Sequence, residues 1–202
     1  EAVTKPAATA VLAQAVGESE AAVAAALAQL AAEHEVVVVG EGRWIAEARW
    51  AVACEAIERE VHEFAAKYPA RFGVMKGELK SGLKTTIEAP LFDAAFQSLE
   101  DEGRLDVRGE RVRPADVAWE PPAEAMAALE AVERELEAAG MAVPEAAAWQ
   151  ARLGAAQAAE VVSLGLFLGR LVRVNQELIY TARQMEELRE KLAAWVAKKP
   201  TL

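Results

Sequence analysis

The side chains of this 202-residue sequence that are best suited to chemistry are basic. Five of them fall between residues 67 and 84: Lys67, Arg71, Lys76, Lys80 and Lys84. Ammonium and guanidinium groups bind phosphate oxygens, so this cluster is a candidate contact for transfer, messenger or ribosomal RNA. The alternative is an ordinary solvated surface whose charge is balanced by Glu63 and Glu78.

A smaller basic group lies near the end of the last predicted helix. It consists of Lys191, Lys198 and Lys199. These lysines are a second candidate RNA contact. The alternative is that they complement the dipole at the helix C-terminus and keep the helix soluble.

Residues that commonly catalyse reactions or bind metals are scattered along the chain. His34 and His62 lie far apart, and Glu58, one turn before His62, does not complete the three or four ligands that zinc requires. Cys54 is the only cysteine, which excludes an internal disulfide. The sequence contains no nucleophile elbow and no G-x-x-x-x-G-K-[ST] phosphate loop. We therefore expect no catalytic residue, no metal and no cofactor in this chain.

The overall composition limits the classes of partner. The formal net charge is −10 and 53% of the residues are hydrophobic. Such a charge argues against a general nucleic-acid coat protein, although a local basic patch is compatible with it. No apolar run is long enough to span a bilayer, and a single cysteine suits a reducing compartment. We expect a soluble, cytoplasmic protein with no membrane partner.

The elements that must position the basic residues follow one plan three times. The first repeat is predicted to contain a helix from Lys5 to about Val16, a helix at 20–33 capped by Ser19, and a hairpin that turns at 40–42.

The second repeat begins with a long helix that ends at Tyr68–Pro69. A short helix from Met75, a helix at 89–102 and a hairpin turning at Gly109 follow.

The third repeat has a helix that ends at Gly140, helices at 144–153 and 157–168, and a hairpin turning at Asn175. One further amphipathic helix covers 182–198.

The spacing of the hairpin turns shows that these units are repeats. Gly40 and Gly109 are 69 positions apart, and Gly109 and Asn175 are 66 apart. Glycine and asparagine tolerate the left-handed backbone that such turns demand. We predict a mostly α fold with small β-hairpins, an extended array of tandem winged-helix domains. The predicted domains are 1–47 (lacking its first helix), 48–120, 121–181, and 182–202 as the first helix of a fourth.

Two segments carry a resemblance to a known family. One is HEFAAKYPARFGVMKGELKSGL at His62–Leu83, preceded by Arg43-Trp44-Ile45 and the Trp50 helix. The other is LVRVNQELIY at Leu171–Tyr180, followed by ARQMEELREKL. In this order they resemble the C-terminal region of bacterial selenocysteine-specific elongation factors.

The resemblance implies a division of labour within a longer protein. In that family a GTPase body holds GTP, Mg²⁺ and selenocysteinyl-tRNA and works on the ribosome, and four winged-helix domains reach a messenger RNA hairpin. The terminal domain is the chief reader of the hairpin, and only its first helix is predicted here. The resemblance therefore implies a monomeric structural arm without enzymatic activity, which links a GTPase elsewhere in the protein to the hairpin.

Two other functions are weighed against this one. A spacer or protein-interaction module that binds no RNA would suit the acidic charge. A DNA-binding regulator would carry basic residues on its third helices, yet 20–33, 89–102 and 157–168 contain no Lys or Arg. For the arm we expect bending at Pro114–Pro122 and a rigid junction at Tyr180-Thr181.

Overall fold

The computed structural model describes residues 5–40 and 42–198, and within these ranges it contains nine helices and eight short strands. The sheets are small and antiparallel. The predicted fold class, mostly α with small hairpins in winged-helix domains, is confirmed. The chain divides into two compact units. The first comprises the residues up to Lys67 together with Gly73–Ala118, and the second comprises Tyr68–Phe72 together with the residues from Trp119 onward.

The first domain of the first unit is built around a three-stranded sheet. Its elements are β1 (Ala7–Ala8), α1 (Thr9–Val16), α2 (Glu20–Ala32), β2 (Val36–Val39) and β3 (Arg43–Ala46), with the strands in the order β1-β3-β2. Ser19 caps α2 as predicted, because its Oγ accepts a hydrogen bond from the Ala22 N–H at 3.2 Å. Among the described residues no single helix is long and apolar enough to span a bilayer. The helices α1 and α2, bent by 108° at the break between them, are together as long and as apolar as a membrane-spanning segment.

The start of α1 differs from the sequence prediction. Residues 5–8 were expected to be helical because proline suits the first turn of a helix. Instead Ala7 and Ala8 pair with Trp44 and Arg43 of β3, and the helix begins at Thr9. The free edge of β3 supplies backbone partners that outweigh the helix propensity of alanine, which is a weak preference that tertiary context overrides.

The second domain of the first unit is a complete winged helix. Its elements are α3 (Glu47–Lys67), β4 (Val74–Met75), α4 (Lys76–Leu83), α5 (Ala89–Asp101), β5 (Leu105–Arg108) and β6 (Arg111–Pro114), with strand order β4-β6-β5. Apolar residues at helical spacing on α3, such as Ile57 and Val61, pack against Phe96 and Leu99 of α5 in one core. We call the β5–β6 hairpin the second wing.

The second unit contains the third domain and the last helix. Its elements are α6 (Ala123–Ala139), α7 (Ala146–Leu153), α8 (Ala155–Phe167), β7 (Leu171–Arg173), β8 (Ile179–Thr181) and α9 (Ala182–Lys198). Trp149 is buried in its core beside Leu129 and Leu136. Phe72 also belongs to this unit and stacks on Phe167 with ring centroids 4.5 Å apart.

The three domains repeat at the level of single backbone hydrogen bonds. The third helix of each ends in a residue with a left-handed backbone, namely His34 (φ 58°), Gly103 (φ 70°) and Gly169 (φ 68°). In each case the next N–H bonds back to a carbonyl five residues earlier, at Leu30, Leu99 and Gly165. These caps are 69 and 66 residues apart, the same spacing as the hairpin turns, so the structure aligns the domains residue by residue.

The third hairpin turns differently from the expectation. Among the described residues His34 is the only non-glycine with positive φ, so Asn175 is not left-handed. Its side-chain Oδ1 instead accepts hydrogen bonds from the N–H groups of Glu177 and Leu178 at 2.8 and 2.7 Å. An Asx-type turn therefore replaces the left-handed glycine found in the other two hairpins.

A buried glutamine fixes the start of α9. The Gln184 Oε1 accepts from the Thr181 N–H at 2.8 Å, and the Thr181 Oγ1 accepts from the Gln184 N–H at 3.1 Å, which is a capping box. The Gln184 Nε2 also donates to the carbonyl oxygens of Leu136 and Gly140 at 2.7 and 2.5 Å. These carbonyls lie at the C-terminal end of α6 and lack helical partners there. We call this arrangement the Gln184 lock.

Candidate nucleic-acid interface

Three of the predicted lysines form a stripe along α4. Lys76, Lys80 and Lys84 are each four residues apart, and α4 runs from Lys76 to its C-cap at Lys84. Residues at this spacing lie on one face of a helix, and eight residues of helix span about 12 Å. Leu79 and Leu83 of the same helix are buried, while Lys76 and Lys80 are half-buried and Lys84 is exposed.

Two of these lysines already have partners within the domain. The Lys80 Nζ donates to both carboxylate oxygens of Asp93 on α5, each at 2.7 Å. The Lys76 Nζ lies 3.9 Å from the centroid of the Phe96 ring, a cation–π contact. Glu63 and Glu78, the acids suggested by the sequence, are not the partner of Lys80. Because the Lys80–Asp93 pair is partly exposed, it is weak enough for a phosphate to compete with it.

The second wing contributes arginines that the sequence interpretation did not select. Arg108 and Arg111 face each other across the hairpin and flank the turn at Gly109. Arg108 pairs with Asp106 at 3.1 Å, and its side chain remains 60% exposed. The signal in the sequence was the run RLDVRGERVR, in which four arginines surround one glycine turn.

The stripe on α4 and the second wing meet at one edge of the domain. β4 pairs with β6 so that Met75 faces Arg111, and the Lys76 N–H donates to the Glu110 carbonyl at 2.8 Å. The basic edge, as we call it, consists of Lys76, Lys80, Lys84, Arg108 and Arg111. Residues 76–84 and 108–111, which form this edge, together hold five Lys and Arg against two acids, Glu78 and Glu110. The edge is therefore locally basic in an acidic chain, as phosphate binding requires.

Two further arginines of the second wing have structural partners instead. Arg113 is 5% exposed, and burial lowers its pKa while Asp106 opposes that shift. Burial alone would also lower the pKa of Arg104, but the carboxylates of Glu58 and Glu102 raise it overall. The Arg104 Nη2 is 2.5 Å from Glu58. These two side chains support the domain rather than the basic edge.

The other predicted contacts are spread over the chain. Lys67 is the last residue of α3 and is exposed. Arg71 lies in the second unit, with its guanidinium 4.6 Å above the Tyr68 ring. Lys191 and Lys198 are exposed on α9, also in the second unit, and Lys199 lies outside the described residues. Of the eight predicted residues, the structure thus brings together three, on α4.

The third helices are not built to read a DNA groove. α5 buries Leu91, Phe92, Ala95, Phe96 and Leu99, and it carries no Lys or Arg. A helix that reads the major groove needs polar and basic side chains on its outer face to reach bases and phosphates. The arrangement suits backbone contact from the basic edge, not base reading by α5.

The two histidines and the cysteine do not belong to a metal-binding cluster in the described part of the chain. Within residues 5–40 and 42–198, no three His, Cys, Asp or Glu side chains are close enough to hold a metal. The His62 Nε2 lies 4.0 Å from Asp116 on the surface. Burial raises the pKa of the Cys54 thiol to about 11, so the sulfur is protonated at neutral pH and is a poor nucleophile.

One comparison with known proteins bears on this domain. Residues 59–113 match the family described as "Elongation factor SelB, winged helix". The match covers 55 of the 202 residues, from within α3 to Arg113 of β6, and includes the whole basic edge. No curated protein matches the chain. The second domain is thus similar to a winged-helix region of the SelB type.

Proposed function

We propose that this chain is the winged-helix arm of a bacterial selenocysteine-specific elongation factor, from its C-terminal region. The observation that carries the proposal is the SelB-type match on the second domain. It is supported by the residue-by-residue repeat of the same plan on both sides of that domain. The arm would join a GTPase body to a hairpin in the messenger RNA.

The proposed roles divide between this chain and the rest of the factor. GTP, Mg²⁺, selenocysteinyl-tRNA and the contact with the ribosome belong to domains outside this chain, in the cytoplasm. The reader of the messenger hairpin would be the domain that α9 begins. The chain itself would hold that reader at a set distance and add phosphate contacts through the basic edge.

The Gln184 lock supports a rigid end to such an arm. Two of its four hydrogen bonds, from the Gln184 Nε2, tie the first turn of α9 to the last turn of α6, and the other two fix Gln184 to Thr181. α9 is therefore held by the third domain. The bend that we expect at Pro114–Pro122 would lie further back. The chain passes between the two compact units at three places, 67–68, 72–73 and 118–119, and the last of these falls within that segment.

A second candidate function is a spacer that does not bind RNA itself. The net charge of −10 favours it, because non-specific attraction to phosphate would be weak. The partners of Lys76 and Lys80 within the domain favour it as well. Both functions use the chain as an arm, but only the first makes that arm part of a factor that binds RNA.

The test is a titration of a labelled selenocysteine-insertion hairpin at two salt concentrations. This chain is compared with a version extended C-terminally by about 50 residues, enough to complete a domain of this size. We expect only the extended chain to bind tightly, with affinity that falls steeply with salt. If neither binds, the likeness is one of fold alone, and the spacer function replaces the factor assignment.

The role of the basic edge is tested in the extended chain. Lys84→Gln together with Arg108→Gln should lower the slope of log affinity against log salt by about 1 for each phosphate that the edge no longer neutralises. Arg59→Gln together with Arg134→Gln is the matched control, since both side chains are exposed and neither belongs to the basic edge or to α9. An unchanged slope in the double variant of the basic edge would assign the edge to the spacer role.

A further inference from the structure

A cleft lies between the first and second domains, within the first compact unit. Its volume is about 380 Å³, inside the range of about 300–1,000 Å³ that is usual for ligand sites. The β2–β3 hairpin forms one wall and the start of α5 forms the other, and α5 also packs against β2. The lining residues are Pro6, Val39, Gly40, Arg43, Pro90 and Asp93.

Arg43 has the same position in the first domain as Arg111 of the basic edge has in the second. Arg43 lies opposite Val39 in its hairpin, as Arg111 lies opposite Arg108. On the other side each arginine pairs with the short strand that precedes the second helix, β1 or β4. Arg43 is exposed, and its guanidinium forms no ion pair or hydrogen bond with the part of the chain that the structure describes. It is therefore available to an anion.

Asp93 connects this cleft to the lysine stripe of α4. It lines the cleft together with Arg43, and its carboxylate accepts both hydrogen bonds from the Lys80 Nζ at 2.7 Å. The Asp93 side chain is 55% exposed and that of Lys80 is 38% exposed. The pair is thus in contact with water, and Asp93 can turn away from Lys80 without a cost of burial.

The winged-helix plan does not require an acid at this position. The caps of the third helices align Asp93 with Ala24 of α2 and with Ala159 of α8. All three side chains are exposed, so none of them contributes to a core. The domain that carries the lysine stripe is the one that has an acid here. This coincidence points to a role for Asp93 in controlling Lys80.

A phosphate can compete with Asp93 for Lys80 because the two groups are similar acceptors. A carboxylate and a phosphodiester each carry one negative charge, and each accepts charge-assisted hydrogen bonds through oxygen. An exposed ion pair such as Lys80–Asp93 is weak. A phosphate in the cleft would have cations on two sides, because Arg43 is not engaged by Asp93.

We propose that an RNA phosphate binds in this cleft between Arg43 and Lys80, and that Asp93 holds Lys80 until the RNA binds. The inference rests on the proposed function and extends the basic edge from the second domain to the first. On binding, the Lys80 ammonium exchanges the Asp93 carboxylate for a phosphate oxygen, and the carboxylate turns to solvent. The exchange favours a ligand that presents several phosphates at once, since a single anion gains little over the carboxylate.

The experiment measures binding of the 202-residue chain to fluorescently labelled RNA at several low salt concentrations. Arg43→Gln removes one phosphate contact, so it should weaken binding and lower the slope of log affinity against log salt by about 1. Arg59→Gln on α3 is the matched control, because Arg59 is also exposed but does not line the cleft. The control should leave the slope unchanged.

Asp93→Asn should act in the opposite direction. It releases Lys80, so we expect affinity to rise by about two- to fivefold, which corresponds to the strength of one exposed ion pair. Asp101→Asn removes the same charge from the same helix, where Asp101 accepts a hydrogen bond from Gln97, and it should give a smaller rise. In a Lys80→Gln background, Asp93→Asn should give no more than Asp101→Asn does.

The variants are tested on two RNAs, the selenocysteine-insertion hairpin and a transfer RNA, because a phosphate contact does not depend on base sequence. The expected changes with either RNA support the cleft and identify that RNA as a ligand. If the extended chain fails to bind the hairpin, the factor assignment falls, while changes with the transfer RNA still support the cleft.

Three results would overturn the proposal. The first is that Arg43→Gln and Asp93→Asn bind both RNAs as the unmodified chain does. The second is a rise from Asp93→Asn that persists at full size in the Lys80→Gln background, since it would then be a general effect of charge. The third is that neither the unmodified chain nor Asp93→Asn binds either RNA at the lowest salt concentration.

Discussion

The first and second domains of this chain have the same topology but differ in how their cores are closed. In the second domain α3 closes the core, and residues such as Phe96 and Leu99 are fully buried. In the first domain Ala13, Leu27 and Val36 are buried, while the outer side of α2 is open. Sharing a fold therefore does not mean sharing stability, because most of the stability of a helix comes from the face that it buries.

The same comparison shows which of the two domains carries the candidate phosphate-binding residues. The basic edge lies on the domain with the complete core, so its lysines and arginines are held on rigid elements, as recognition of a fixed phosphate geometry requires. In the first domain, by contrast, Leu30 of α2 is 37% exposed and no closed core covers it. Three experiments with substituted variants test this difference, from the largest expected effect to the smallest.

The largest effect should come from truncating the aligned leucines. Leu99→Ala removes a fully buried side chain and leaves a cavity, which typically costs about 2–5 kcal/mol. Leu30→Ala removes a side chain that is 37% exposed, so the cost should stay below about 1 kcal/mol. Urea denaturation of both variants measures the difference. Equal losses would mean that α2 is as well covered in solution as α5.

The second effect concerns the buried thiol in the complete core. Burial raises the pKa of Cys54 from 9.0 to about 11, so the folded state keeps a proton that the unfolded chain releases above pH 9. The unfolded state then binds fewer protons than the folded state, and stability falls as the pH rises. The loss between pH 9 and 11 should be about 2 kcal/mol, since one pKa unit corresponds to about 1.4 kcal/mol and the titration is incomplete at both ends of this range.

The thiol's part in that loss is isolated by a matched variant. Cys54→Ala removes the thiol and leaves every other ionisable group of the protein in place. The difference between the unfolding free energies of the two proteins should therefore change steadily with pH. A constant difference from about pH 8 to 11 would show that the sulfur is solvated in the folded state.

Much of the fold could be predicted because it is local. Helical spacing and turn residues placed α9 at 182–198 and α5 at 89–102, against Ala182–Lys198 and Ala89–Asp101 in the structure. The regular distance between turns predicted the tandem winged helices. The predicted start of α1 was wrong because it depends on residues distant in the chain: Ala7 pairs with Trp44 of β3.

The candidate site was harder to predict for the same reason. The lysines of α4 were found because they are close in sequence. Arg108 and Arg111 join them only through the pairing of β4 with β6, and Asp93 reaches Lys80 from another helix. Single-sequence patterns show charge density but not the tertiary neighbours that neutralise or complete it.

The smallest effect compares the caps of the two aligned third helices. His34 has the left-handed backbone that Gly103 supplies in the second domain, and a residue with a Cβ is strained there. His34→Gly should therefore stabilise the first domain by about 0.5–1 kcal/mol, and Gly103→Ala should destabilise the second by a similar amount. A Cβ at Gly103 would meet nothing within 4 Å, so that cost is conformational rather than steric.

Thermal unfolding of His34→Gly and His34→Ala distinguishes backbone strain from side-chain contacts. Alanine removes the imidazole but keeps the strained backbone, so only the glycine variant should gain stability. If both variants change alike, the imidazole and not the backbone determines the cap. A gain from glycine alone would show that the helix cap of the first domain carries backbone strain, which Gly103 avoids at the same position of the second domain.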